Sequence, residues 1–222
     1  MWLRAVLDPT EGDRFALACS LQGTREEEDQ DRLELTYGEF DLDGFHEVLA
    51  MAVDGLPDLR SKCFCDFGSG AGRLVLAAAA RYPWARCVGI EALPQLHEMA
   101  ELLHAKVVDA AGADHALSPC EFQALEVSAA TASEALQAVD VLFAFSTCFD
   151  DVTLADTLAC GLRPGARVVT VDSMLPNSGD PAAANRPRFR LVQRAFVCDH
   201  SAYVWELSED LPTFWIDYAV LT

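Results

Sequence analysis

The sequence predicts an open α/β fold: a mostly parallel sheet with helices on both faces and an antiparallel C-terminal part. Short, almost wholly apolar runs at 63–67, 87–90 and 139–145 read as strands buried on both faces, as central parallel strands are. Stretches of helix-forming composition or helical apolar spacing, at 73–82 and 94–110, separate them. Three β-rich segments, 189–198, 201–207 and 213–221, close the chain and suit the antiparallel part.

Taken in order, residues 1–22 read as a strand or an irregular packed segment anchored by Trp2, Val6, Leu7, Phe15, Leu17 and Leu21. Residues 24–32 are a charged break, read as solvated surface. After Leu35-Thr36-Tyr37-Gly38-Glu39-Phe40, the spacing of Phe45, Val48, Leu49, Ala52 and Val53 predicts a helix. Asp43 is its N-cap candidate, and Gly55 with Pro57 closes it. The strand at 63–67 then runs into glycines at 68, 70 and 72 and an Ala/Leu-rich helix. Strand, glycine turn and helix is a geometry in which backbone can press against a cofactor at a helix N-terminus. The next strand ends on Glu91, about twenty residues past the glycines, where a carboxylate can accept both hydroxyls of a ribose.

Glycine spacing separates the possible cofactors. A dinucleotide pattern, Gly-x-Gly-x-x-Gly, needs glycine at 73, where Arg73 stands. The sequence instead reads Asp-x-Gly-x-Gly-x-Gly from Asp66 to Gly72, with Ser69 inside the loop. This resembles motif I of class I, seven-strand S-adenosylmethionine-dependent methyltransferases. The alternatives are a nicotinamide site and an ordinary strand–turn–helix with glycines for tight packing.

Beyond the loop, Pro94 opens a helix bearing Leu96, Met99, Leu102, Leu103 and Val107 on one face; His97 and His104 read as surface or packing residues. Residues 120–127 suit a third strand with Glu126 near its end, and 129–138 a short helix. The fourth strand, 139–145, runs into Ser146-Thr147-Cys148-Phe149, at the carboxyl end of a strand, where ligands of such sheets gather. A helix over 151–161, stopped by Gly161, precedes a fifth strand at 166–173. The breaker-rich 175–182 stretch reads as a lid or substrate-facing loop. Arg186, Arg188, Arg190 and Arg194 read first as relief of an acidic surface, and Trp205 and Trp215 as core.

Composition bounds the rest. With 222 residues, 51% of them hydrophobic and 23% charged, the chain reads as globular and as one domain. Its net charge of −19 argues against nucleic-acid binding, which relies on Lys and Arg meeting phosphates, and is compatible with a basic protein or peptide partner. No apolar run approaches the roughly 20 residues of a membrane span, and no secretory or transit signal is legible, so cytoplasm or nucleus is expected. The eight cysteines, scattered through apolar segments, read as reduced thiols, and no ligand spacing suggests a metal.

The stretch from Asp66 through Ala79 looks like the cofactor motif of the non-SET, seven-strand protein-lysine methyltransferases, in their histone-lysine and mitochondrial ATP-synthase c-subunit branches. Leu35 to Phe40 resembles the loop that closes over the cofactor in the histone branch. The fourth strand ends differently: the histone branch has an Asn-Asn-Phe type sequence, of which only the aromatic Phe149 is kept, and the basic nucleosome-engaging extension is absent. The resemblance implies a Rossmann-like methyltransferase domain over 1–222, with 1–60 as N-terminal segment and closing loop and 61–222 as cofactor-binding core. It implies S-adenosylmethionine as cofactor and a protein lysine as acceptor. Gly68, Ser69, Gly70 and Gly72 would approach the amino-acid portion, Asp66 brace the loop, Glu91 hold the ribose and Glu39 face the ammonium. Glu126 would accept from the adenine amino group, Ser146 and Thr147 would border the reaction zone, and Tyr37 and Phe149 would flank the acceptor amine. Two rival readings stand beside it: a small-molecule N- or O-methyltransferase, and a non-catalytic scaffold retaining the fold.

Overall fold

The computed structural model describes residues 2–23, 37–128, 131–175 and 188–208. The charged break at 24–32, the loop beyond Leu175, Arg186 and the 213–221 segment with Trp215 lie outside them. The chain divides into two compact units, Met1–Leu42 with Pro57–Glu126, and Asp43–Leu56 with Val127–Thr222. The strand order is that of a seven-stranded mixed sheet with helices around it, as the apolar runs predict.

The first unit holds β1 (Cys63–Phe67), β2 (Arg86–Glu91) and β3 (Cys120–Ala124), ordered β3-β2-β1 and all parallel. The residues of β1 are buried throughout. Helix α4 (Arg73–Arg81) buries its Leu74–Ala79 run, and α5 (Pro94–Ala111) buries Leu96, Ala100, Leu103, Val107 and Ala111 at helical spacing. Pro94 sits at the start of α5, where a missing N–H costs nothing.

Residues 1–22 depart from expectation. They form two helices, α1 (Trp2–Leu7) and α2 (Glu11–Gly23), joined by a 3₁₀ turn, Asp8–Thr10, that contains Pro9. Their buried positions are Leu3 and Leu7, then Arg14 and Ala18. Both pairs have i, i+4 spacing, a helical stripe broken at Pro9 and disguised by an arginine in a buried position.

The second unit holds α3 (Leu42–Val53), α6 (Ala132–Leu136), α7 (Asp151–Gly161), β4 (Val141–Ala144), β5 (Arg167–Val171), β6 (Arg188–Val197) and β7 (His200–Ser208). Its strands run β4-β5-β7-β6; β4 and β5 are parallel, and β5, β7 and β6 pair antiparallel. On α3, Asp43 lies in the first turn, not before it, and Phe45 meets Phe143 of β4 edge-on at 5.2 Å. Trp205 is buried, its Nε1 donating to Thr170 Oγ1 at 2.9 Å, so its polar end is satisfied inside the sheet. Arg190 donates to Glu206 at 2.7 Å, which fits its reading as a residue that offsets acidic surface, whereas Arg194 lies over the Tyr203 ring.

Several boundaries move: the fourth strand covers 141–144 and not 139–145, and the fifth 167–171 and not 166–173. The third strand ends at Ala124, short of the expected 127, which leaves Glu126 exposed in the segment after it. Helix α7 ends at Gly161 as expected, and packing also calls for glycine there: a Cβ would come 2.5 Å from Ala132 O and 2.8 Å from Leu136 Cβ of α6.

Candidate functional site

Between β1 and α4 the backbone turns through left-handed conformations at Gly68, Gly70 and Gly72, with φ of 79°, 53° and 77°. A side chain is strained at each of these positions, which accounts for the alternating glycines. The N–H groups of Gly68 and Ser69 both donate to Ile90 O at 2.9 Å, tying the loop to the end of β2. Gly72 caps α4 from a left-handed position. Inside the loop the Ser69 hydroxyl is buried and has no hydrogen-bond partner among the described residues. Gly89, beneath it on β2, is also required: a Cβ there would meet Phe122 and Ser69 Oγ at 2.8 Å each.

Glu91 ends β2 with 8% exposure. One carboxylate oxygen accepts from Gly70 N and the other from Leu93 N, both at 2.8 Å. Burial pushes its pKa up, against the backbone N–H groups that favour the charged form. Asp66, 3% exposed within β1, is held well above the usual carboxylate range by burial first and then by the charge of Glu91.

Above the loop lies the Tyr37-Gly38-Glu39 turn. The Tyr37 ring covers Gly70 so closely that a Cβ there would stand 2.6 Å from Cε2. Its hydroxyl donates to Glu39 Oε1 at 2.5 Å. Glu39 also accepts from Arg14 Nε at 2.5 Å, Arg14 Nη2 at 3.0 Å and Arg73 Nε at 3.1 Å, while Arg73 reaches Phe40 O at 3.2 Å. Burial raises the pKa of Glu39, but these donors and charges outweigh it and hold the carboxyl below its ordinary value. Burial and the Glu39 charge push the Tyr37 phenol far up, so it stays protonated. The carboxylate expected to face a cofactor's ammonium is thus turned to two guanidiniums and a phenol.

Ser146, Thr147 and Phe149 belong to the second unit. Ser146–Cys148 forms a 3₁₀ turn after β4. Ser146 is buried, its Oγ donating to Val171 O and accepting from Val171 N at 3.0 Å each, a clamp onto the end of β5. Thr147 is exposed and Phe149 half-buried. The first unit therefore gathers Tyr37, Glu39, Asp66, Gly68, Ser69, Gly70, Gly72 and Glu91 around one loop, and Glu126 is exposed beyond β3. Arg14 and Arg73 escaped sequence reasoning. Arg73 carried a signal, since it occupies the position a dinucleotide pattern gives to glycine; Arg14 carried none.

A mixed seven-stranded sheet, a glycine loop after its β1 and an acidic residue ending its β2 define the class I methyltransferase fold. Solved structures agree. An RNA methyltransferase from Salinibacter ruber, in complex with S-adenosyl-L-homocysteine, is 22% identical over 79% of this chain and 97% of its own, with a TM-score of 0.58. The rRNA methyltransferase aviRa from Streptomyces viridochromogenes is 16% identical over 77% and 86%, TM-score 0.54. A variant of MtNAS in complex with S-adenosylmethionine is 12% identical over 92% and 76%, TM-score 0.55. No curated protein matches the chain. The family described as histone methylation protein DOT1 matches residues 31–197, and the chain belongs to it.

Proposed function

We propose that the chain transfers a methyl group from S-adenosylmethionine to a lysine side chain of a protein. The observation that carries this reading is the family match over 31–197, which takes in both the Tyr37-Gly38-Glu39 turn and the Asp66–Gly72 loop. The structural relatives bound to S-adenosylhomocysteine and S-adenosylmethionine support the cofactor.

The residues present fit that cofactor. Ser69 offers a buried hydroxyl with no partner among the described residues, in a loop whose turns rest on left-handed glycines at 68, 70 and 72. Each Glu91 oxygen accepts one N–H and retains a lone pair for a ribose hydroxyl. When bound, the cofactor supplies a methyl group on a cationic sulfur. Asp66 lies beneath the loop at the end of β1, Glu91 orients the ribose, and the Tyr37 turn closes above Gly70. Phe149 is retained from the resemblance as an aromatic wall for the acceptor. An acceptor lysine has to shed its proton, and desolvation against an aromatic wall lowers its pKa. Tyr37, held as the neutral phenol, presents a surface here and does not act as the base.

Two of the structural relatives act on RNA by their names, but a net charge of −19 opposes the phosphate contacts that RNA binding needs. The test is calorimetry with S-adenosylmethionine and S-adenosylhomocysteine, followed by transfer of labelled methyl into cell lysate. We expect micromolar binding, weakened at least about tenfold by Glu91→Ala, a loss of about 1.4 kcal/mol, and abolished by Gly70→Arg. Label should be released by protease and recovered as methyl-lysine. Label in ribonuclease-sensitive material or in small metabolites would overturn the acceptor, and absence of binding would favour a scaffold.

A further inference from the structure

We infer that Arg14, on a helix outside the family-matched residues, is a positioning residue that fastens the Tyr37-Gly38-Glu39 turn onto the glycine loop. The inference rests on the reading of that loop as the cofactor site. Arg14 is 1% exposed, a burial that a guanidinium tolerates only when its donors are matched. Four of its five N–H donors are matched by hydrogen bonds, which divide into two pairs. Nη1 donates to Leu7 O at 2.7 Å and to Thr10 Oγ1 at 2.5 Å. Leu7 ends α1 and its carbonyl also accepts from Thr10 Oγ1 at 2.8 Å, so this pair locks the arginine to the α1–α2 corner. Nε and Nη2 form a side-on fork with both oxygens of Glu39, the bidentate geometry that fixes direction as well as distance.

Glu39 passes this constraint on in two directions. Its Oε1 accepts the Tyr37 hydroxyl, and its Oε2 accepts Arg73 Nε at the first residue of α4. Phe15, next to Arg14, meets the Tyr37 ring edge-on at 5.5 Å. Tyr37 is therefore held from one side by α2 and lies on Gly70 with the other. A surface ion pair would leave the turn free to leave the loop; this fork, anchored to a helix end, does not. Lysine has one ammonium and cannot bond both the helix end and both carboxylate oxygens in this geometry.

The test compares wild type with Arg14→Met, Arg14→Lys, Glu39→Gln and the Arg14→Met/Glu39→Gln pair, using two readouts. Amide hydrogen exchange at 37–41 in the ligand-free protein reports the turn, and calorimetry reports affinity for S-adenosylhomocysteine. We expect Arg14→Met to speed exchange at 37–41 and to weaken binding, each at least about tenfold. Arg14→Lys should restore less than half of either loss. In the Glu39→Gln background, Arg14→Met should add less than about twofold, since it acts through that carboxylate. Leu158→Ala, in the core of the other unit, serves as a control: it should lower melting temperature while leaving affinity within about twofold. Unchanged exchange and affinity in Arg14→Met, or fully additive effects with Glu39→Gln, would overturn the assignment. Should Arg14→Met not fold, Arg14→Lys alone and with Glu39→Gln carries the same comparison. A wild type that binds no S-adenosylhomocysteine would instead sink the reading of the loop, and the exchange readout would still decide whether Arg14 holds the turn.

Discussion

Asp66 and Glu39 are carboxyls of one site with opposite pH behaviour. Burial, with help from Glu91, raises the folded pKa of Asp66. Between the ordinary carboxylate range and that raised value, the folded chain keeps a proton the unfolded chain has lost, so the Asp66 contribution to stability falls as pH rises. Glu39, depressed by its arginine and tyrosine partners despite burial, contributes stability above the ordinary range and loses it as pH falls through its folded pKa. Asp66→Asn removes the first titration. Its melting temperature should exceed that of wild type more at pH 8 than at pH 5, with a gain at pH 8 of about 2–4 °C for about 1 kcal/mol in a chain of this size. A shift equal at both pH values would count against a raised Asp66. The alternating glycines, Ser69, Asp66 and Glu91 were legible because their spacing along one strand–turn–helix fixes where they meet. Arg14 was not: nothing in its residue type distinguishes it from the other basic residues among the 16 in the chain.

Elements were predicted best where one face is uniformly apolar. Helix α5 and strands β1 and β2 match their expected bounds almost to the residue, although Leu102, expected on the buried face of α5, is 62% exposed while Ala100 is buried. The α1–α2 pair failed that test because its buried stripe includes Arg14, a residue that periodicity counts as polar. Gly161 shows the same limit in α7. Propensity alone favours Gly161→Ala, by less than the ~1 kcal/mol of a helix interior because Gly161 is the last residue of α7. Against this stands a Cβ forced to 2.5 Å from the Ala132 carbonyl oxygen, a backbone contact that cannot swing aside. Overpacking of that kind costs about 1–3 kcal/mol, so the contact wins and the variant should be destabilised in urea unfolding. A stabilised Gly161→Ala would mean that α6 moves to accommodate the methyl.

A net charge of −19 acts on the molecule as a whole. Like charges repel in the compact state, and salt screens them: the Debye length falls from about 30 Å at 0.01 M to about 10 Å at 0.1 M. The buried Arg14–Glu39–Arg73 contacts are screened far less than exposed charges. Raising salt over that range should therefore increase stability. For a gain of about 1 kcal/mol and slopes of about 1–3 kcal/mol/M, the urea midpoint should rise by about 0.3–1 M. A falling midpoint would show that attractive surface pairs outweigh the net repulsion.

The sequence by itself determined the α/β class, the parallel strands and the glycine loop with Glu91 opposite, because each depends on residues close in the chain whose spacing translates directly into geometry. Only the tertiary structure decided what surrounds that loop. Arg14 meets Glu39 across 25 residues and Arg73 meets it across 34. Ser146 clamps Val171 across another 25, and Gly161 is dictated by a neighbouring helix. Such contacts are set by how whole elements pack, and local pattern holds no record of that packing.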